Sequence, residues 1–321
     1  MAEQPVLVEG LVRRFGEIEA VAGVDLHVDP GEVFGFLGPN GAGKSTIVRV
    51  LVTLLRPTAG RARVAGFDVA TEGAEVRRRI GVALQDAAID PLMTGRELLD
   101  LQATLHGLGR ARGRQRGDAL LERVGLTAAS TRRVGTYSGG MRRRLDLALA
   151  LVHEPEVLFL DEPTTGLDPS SRANVWDEIR ELNRAGTTVF LTTQYLEEAD
   201  QLAGRIAIID HGRIVREGSP HALKAELSAP MLRVTVADRY RGRAESVLAR
   251  VGQVINGAGG EGPLTARFPA GAAGLAEVVR AFDAARITPE TLELVAPSLD
   301  DVFAAVTGGR LEGAAGSAAV T

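Results

Sequence analysis

The sequence has no cysteine and almost no lysine. Without cysteine there can be no disulfide, no thiol nucleophile and no cysteine-held metal, and an intracellular setting is permitted though not required. Lys44 and Lys224 are the only lysines, so arginine supplies the other positive charges. The excess of Arg, Ala and Gly points to a GC-rich genome, and arginine abundance alone says nothing about function. Basic residues are not in surplus either. Lys and Arg total 37 against 41 Asp and Glu, a net charge of −4, which argues against a protein that works by neutralising nucleic-acid phosphates. No apolar run approaches the roughly 18 residues of a membrane span, and the longest covers only residues 147–152. The start, Met1-Ala2-Glu3-Gln4-Pro5, lacks the basic and apolar regions of a signal peptide. The five histidines, His27, His106, His153, His211 and His221, are scattered without metal-ligand spacing and are expected to be ordinary surface or turn residues. What remains is an ordinary globular composition, 45% apolar and 24% charged over 321 residues, with room for two domains.

One stretch stands out. Gly38-Pro39-Asn40-Gly41-Ala42-Gly43-Lys44-Ser45-Thr46 fits the phosphate-loop pattern G-x-x-x-x-G-K-[ST] at each fixed position. Glu32-Val33-Phe34-Gly35-Phe36-Leu37 before it has the character of a buried strand. Thr46-Ile47-Val48-Arg49-Val50-Leu51 after it begins a helix. Glycines let backbone N–H groups close around a phosphate chain, and the helix N-terminus adds partial positive charge. Lys44 is expected to reach the β- and γ-phosphates, and the Ser45 hydroxyl to ligate Mg²⁺.

Along the chain, short strands alternate with helices in residues 1–225, the signature of an α/β domain with a largely parallel sheet. Residues 6–12 suggest an edge strand. Helical spacing dominates residues 90–152, which are expected to form a helical insertion. A boundary is expected near residues 218–230. Residues 231–307 then run strand, helix, strand, strand, helix, strand, a ferredoxin-like order, with one more helix after it. The tail, 308–321, is rich in Ala, Gly and Ser and is expected to be disordered.

Two further elements carry chemistry. Val157-Leu158-Phe159-Leu160-Asp161-Glu162 is an apolar strand that delivers adjacent carboxylates at its end. Asp161 suits Mg²⁺, usually through water, and Glu162 suits polarising the water that attacks a γ-phosphate. Alternation along the strand sends the two side chains to different tasks. Ser138-Gly139-Gly140-Met141 opens a helix and forms a second anion site. One nucleotide needs one such pocket, so the second is expected to serve the nucleotide of another subunit.

This set, with Gln85, Tyr137, Pro163-Thr164-Thr165-Gly166-Leu167-Asp168 and Thr192-Thr193-Gln194-Tyr195, resembles the ATP-binding cassette ATPases of ABC transporters across about residues 5–220. The close, Pro297-Ser298-Leu299-Asp300-Asp301-Val302-Phe303, is similar to daunorubicin/doxorubicin-resistance-type exporter subunits. The resemblance implies an α/β P-loop NTPase fold and an ATPase that uses Mg²⁺ and works as a head-to-tail dimer. It implies separate transmembrane permease subunits, no nucleic acid, and a peripheral place on the cytoplasmic face of the membrane. It also implies that Phe15 stacks on adenine and that Gln85 contacts Mg²⁺ and the attacking water while coupling to the membrane subunit. By the same resemblance Ser138, Gly139 and Gly140 close over the partner's γ-phosphate, Asp168 contacts the partner's site, and Gln194 occupies the switch position. Asp168 is equally suited to cap a helix before Pro169. Two departures are visible. Tyr137 and Met141 stand where many members have Leu and Gln, and Gln194 stands where His is usual. Gln donates a hydrogen bond but cannot become charged, which bears on the hydrolysis rate. Two other readings remain open at this level: a soluble ABC ATPase outside transport, and a nucleotide-gated regulatory subunit with weak hydrolysis.

Overall fold

The computed structural model describes residues 4–84, 89–227, 230–257, 259–260, 262–269 and 271–308. Gln85 and the tail from 309 onward lie outside the described residues. The chain divides into two compact units, Met1–Glu217 and Gly218–Thr321.

The first unit is built on a six-stranded sheet. In spatial order its strands are Arg213–Gly218, Arg205–Asp210, Val33–Leu37, Thr188–Thr193, Val157–Asp161 and Ile80–Ala83. The Val33–Leu37, Thr188–Thr193 and Val157–Asp161 strands are buried at every position, as expected of parallel strands covered on both faces. A row of phenyl rings keys their register. Phe34 lies opposite Phe190, and Phe190 opposite Phe159, with ring centroids 5.5 Å apart in both pairs. Each such pair is worth about 0.5–1.5 kcal/mol beyond its buried area. Because a one-residue slip would turn every side chain to the other face, this row also fixes which residues meet at the strand ends.

A second sheet pairs Ile18–Val28, Val6–Phe15, Ala59–Val64 and Phe67–Asp68 in that order. Here the structure corrects the sequence. The first strand is not an edge but lies between two antiparallel partners. Glu9-Gly10 looks like a break, yet the register shifts between Val8 and Leu11 while the strand carries on through it.

The helices Gly95–Leu105, Arg110–Arg123 and Gly139–Ala150 share one apolar core with the sheet strands Val157–Asp161 and Thr188–Thr193. The first is closed by a capping box between Thr94 and Glu97. This region also departs from the expectation for histidine. His106 and His153 stack with centroids 3.7 Å apart and an interplanar angle of 6°. His153 Nε2 lies 2.9 Å from the Ile80 carbonyl, an acceptor, so that nitrogen carries the proton. Histidines far apart in sequence meet because the end of one helix and the turn after another converge, which no local spacing reveals.

The second unit opens with a helix the sequence reading lacked, Pro220–Glu226, capped by the Ser219 hydroxyl. All but its last residue falls within residues 1–225, the span the sequence reading gave to the first domain. Beyond it, the strand order Gln253–Asn256, Leu264–Arg267, Met231–Thr235, Thr291–Val295 is antiparallel throughout. In chain order the strands stand 2-3-1-4, the ferredoxin-like arrangement. Helices Arg241–Val251 and Gly271–Ala284 share a core with Leu232, Val234, Leu264 and Ala266. Arg233 points to the other face and reaches Ser298 Oγ and Asp301 Oδ2, both at 3.4 Å. It thereby ties down the closing helix Leu299–Thr307, which ends at Gly308 in a left-handed cap.

Burial, with His106 and Arg116 nearby, lowers the pKa of His153 from 6.5 to about 4. The folded chain therefore keeps it neutral while the unfolded chain takes up a proton below 6.5, so stability is lost as pH falls from 6.5 towards 4. At about 1.4 kcal/mol per pKa unit, His153→Gln should flatten the decline in unfolding free energy between about pH 6.5 and 4.5 by about 2 kcal/mol. Urea unfolding of both proteins across that range checks this, and parallel pH curves would refute it.

Candidate active site

The keyed register brings the strand ends together. Leu37 pairs with Thr193, and Asp161 with Thr192. The Gly38 N–H donates to the Thr193 carbonyl at 3.4 Å as the chain leaves the strand for the glycine-rich loop. The loop runs into helix Lys44–Leu51 through Gly43, whose φ is 107°. A Cβ at Gly43 would stand 2.4 Å from the Ala20 carbonyl oxygen, and one at Gly38 2.5 Å from that of Ile209. Backbone packs where side chains would otherwise be, leaving a main-chain cradle at a helix N-terminus.

Lys44 is only 4% exposed. Its Nζ donates to the carbonyls of Gly38 at 2.8 Å and Pro39 at 3.1 Å and stands 3.4 Å from Glu162 Oε1. Burial pushes its pKa below the usual lysine range, and the Glu162 and Asp161 carboxylates act against that shift. Ser45 Oγ donates to Asp161 Oδ1 at 3.2 Å, and the Thr192 hydroxyl donates to the same oxygen. Asp161 and Glu162 are 2% and 6% exposed. Glu162 has a left-handed backbone, φ 50°, unusual for a residue other than glycine. Its N–H donates to the Thr192 carbonyl at 3.0 Å, and Thr165 Oγ1 donates to its Oε2 at 3.3 Å. The site therefore presents a fixed cation, two carboxylates and a hydroxyl beside a backbone cradle, a set suited to holding and cleaving a phosphate chain.

Around this cluster the expected residues take varied places. Gln194 is half-buried and follows Thr193 directly. Phe15 ends its strand 44% exposed, with the Arg13 guanidinium 4.5 Å above its ring, so it is a surface stacking face and no core residue. Ser138 is exposed, and its hydroxyl accepts the Met141 N–H at 3.2 Å as the cap of helix Gly139–Ala150. Tyr137 is buried, with its hydroxyl donating to the Ala129 carbonyl at 2.7 Å, so this departure serves as an anchor beneath the exposed turn. Asp168 caps helix Pro169–Arg184 through the Ser171 N–H at 3.0 Å and accepts from the Ser170 and Ser171 hydroxyls at 2.7 and 2.6 Å. Those three donors hold its carboxyl far below the usual range. Among the described residues no hydrogen bond or ion pair joins Ser138, Gly139, Gly140 or Asp168 to Lys44, Asp161 or Glu162.

Sequence reasoning missed three residues behind the site. Glu198, fully buried, accepts from Thr164 Oγ1 at 2.7 Å and Trp176 Nε1 at 3.0 Å, and burial raises its pKa. Arg143 reaches the main chain on both sides of Glu162. A lone Trp and an acidic residue on an amphipathic helix give little sign of meeting, and Arg143 is one of many arginines.

A profile of the ABC transporter family matches residues 21–165. The chain is 50% identical over 311 residues to the daunorubicin resistance ATP-binding protein DrrA3 of Streptomyces coeruleorubidus, covering 96% of this chain and 97% of that one. It is likewise 50% identical over 304 residues to the daunorubicin/doxorubicin resistance ATP-binding protein DrrA of Streptomyces peucetius, covering 93% and 91%. The chain belongs to the ATP-binding cassette ATPases of ABC transporters. Among solved structures it is similar to the cassette MJ0796, a dimer bound to ADP and phosphate after hydrolysis. That match has a TM-score of 0.62 at 27% identity and covers 67% of this chain and 98% of that one. The α/β P-loop NTPase fold expected from the phosphate loop is the fold these cassettes share. Cassette members are ATPases, and this chain is one by family.

Gly43→Ala places a methyl group against the Ala20 carbonyl and forces alanine into a left-handed backbone. ATP affinity, read by titration with a fluorescent ATP analogue, should fall by about tenfold or more. Unchanged affinity would mean that the close approach at Gly43 does not shape the cradle.

Proposed function

We propose that this chain is the ATP-hydrolysing subunit of an exporter of daunorubicin- or doxorubicin-type drugs, working as a head-to-tail pair on separate membrane subunits. The observation that carries the hydrolytic part is the buried set of Lys44, Ser45, Asp161 and Glu162 at the end of the phosphate loop. The names of relatives matched over nearly their full length, which speak of resistance to these drugs, support the drug class. Other relatives, 40–43% identical over 70–76% of the chain, are named for Nod factor export, so export is the more general part of the reading.

In this reading the backbone of residues 38–43 wraps the β- and γ-phosphates, with Pro39, Asn40 and Ala42 contributing main chain alone. Thr46 donates from the first turn of the helix, Lys44 neutralises phosphate charge and Phe15 lends its exposed ring to adenine. The Ser45 hydroxyl and the Asp161 carboxylate, 3.2 Å apart, are hard oxygen donors and suit Mg²⁺, which supplies charge neutralisation on the phosphates. Gln85 would join that set. Glu162 orients a water and takes its proton as the water oxygen bonds to the γ-phosphorus. The bond from that phosphorus to the bridging oxygen breaks, leaving ADP and inorganic phosphate. Gln194 donates a hydrogen bond to the γ-phosphate. Ser138, Gly139 and Gly140 are exposed or half-exposed and make no bond to their own cluster, which suits them to the nucleotide of a second copy, with Asp168 beside it.

Leu92, Leu101 and Leu105 are 70%, 45% and 72% exposed, and the last two lie one turn apart on helix Gly95–Leu105. They follow the segment that holds Gln85 and offer exposed apolar side chains to a permease loop. No helix among the described residues is long and apolar enough to cross a membrane. A peripheral place at the cytoplasmic face, held by that contact, follows from the reading. A nucleotide-gated subunit with slow turnover is the second reading, favoured by the uncharged Gln194.

Glu162→Gln removes the proton acceptor but keeps the shape. It should bind ATP, release phosphate at least about 100-fold more slowly, and elute as a dimer from a sizing column run with ATP. A variant that stays monomeric under saturating ATP would contradict the paired site.

A further inference from the structure

Arg143 lies on helix Gly139–Ala150, one turn past the Ser138 cap, and its side chain turns back into the first unit. Its Nε donates to the Pro163 carbonyl at 2.8 Å and its Nη2 to the Asp161 carbonyl at 3.0 Å. These are the carbonyls immediately before and after Glu162, the residue with a left-handed backbone. The third nitrogen, Nη1, donates to the Leu84 carbonyl at 2.8 Å and to Asp146 Oδ2 at 3.0 Å. Every guanidinium nitrogen is engaged, and most of the bonds go to main chain. Leu84 ends the segment that leads to Gln85.

We propose that Arg143 is a positioning residue that clamps the backbone on both sides of Glu162 and so aims its carboxylate at the attacking water. The proposal rests on the reading of Glu162 as the base. An αL backbone at a non-glycine residue is disfavoured, and it persists where the surroundings over-determine it. The planar fork of arginine meets flanking carbonyls together, which a point-charge ammonium cannot do. Because Arg143 and Ser138 share one helix, a shift of that helix changes the hold on Glu162. The turn that faces a second copy's nucleotide and the base that acts on this copy's own nucleotide are thereby linked. Asp146 completes the fork, and its burial raises its pKa to about 6 against the pull of Arg143. Its bond balances the charge of the guanidinium without touching the Glu162 backbone.

The test compares Arg143→Gln, Arg143→Lys and Asp146→Asn with the wild type in steady-state phosphate release, ATP-analogue binding and thermal unfolding. Arg143→Gln and Arg143→Lys should each lose about 10- to 100-fold in kcat, with KM and nucleotide affinity held within about twofold. Asp146→Asn should keep kcat within about threefold of wild type, because the three carbonyl bonds remain. A folded Arg143→Lys or Arg143→Gln protein with wild-type kcat overturns the clamp. So does an Asp146→Asn protein that loses as much as Arg143→Gln, since the effect would then belong to buried charge balance. Where Arg143→Gln shows no cooperative unfolding, Arg143→Lys carries the comparison. A wild-type protein that binds ATP without releasing phosphate counts against the proposed function instead, and is read before any variant.

Discussion

The structure of the first unit turns on a buried cation. Lys44, 4% exposed, is the one lysine of this unit, and burying an ammonium group is costly unless it is paired and hydrogen-bonded. Its partners are the Gly38 and Pro39 carbonyls of its own loop and, from far along the chain, Glu162 just past the end of strand Val157–Asp161. Glu162 reaches it because three parallel strands are held in register by a row of phenylalanines packed ring to ring at a tilt, and that register sets Asp161 against Thr192 and Leu37 against Thr193. The apolar core thus serves the site by fixing where its polar atoms stand.

Around that cation the site divides into a rigid part and an exposed part. Asp161, Glu162, Thr192 and Lys44 are buried and bonded to one another, while Ser138, Gly139 and Asp168 stand at the surface, with the Ser138 and Asp168 side chains capping their own helices. A cap fixes a helix N-terminus without hiding it, which suits a surface made to receive a phosphate from outside. Arg143 is the piece that belongs to both parts, starting on the capped helix and ending on the main chain around Glu162.

Much of this was legible in the residue order, and the reason is local. A phosphate loop, a paired-carboxylate strand end and a Ser-Gly-Gly turn are each written in a few consecutive residues, so spacing alone announces them. The ferredoxin-like order of the second unit was legible for the same reason, since hydrophobic periodicity changes at each element. What escaped depends on contacts across the fold. Arg143 was lost among the arginines of a biased composition. The Glu198–Trp176 bond and the His106–His153 stack join residues brought together only by packing. The central place of strand Val6–Phe15 was hidden by Gly10, whose turn-like signal is a register shift inside a continuous strand. Helix Pro220–Glu226 was overlooked because its proline, at the first helical position, resembles a linker signal.

The central claim is that the Lys44–Glu162 cluster cleaves ATP with Gln194 at the switch position, and does so between two copies. Phosphate release by the purified wild-type chain, followed across ATP concentrations with Mg²⁺ present, tests it most directly. Steady turnover with a sigmoidal dependence on ATP, its Hill coefficient above one, is the expected result. ATP binding that saturates with no phosphate released would contradict the account and leave a nucleotide-gated subunit in its place.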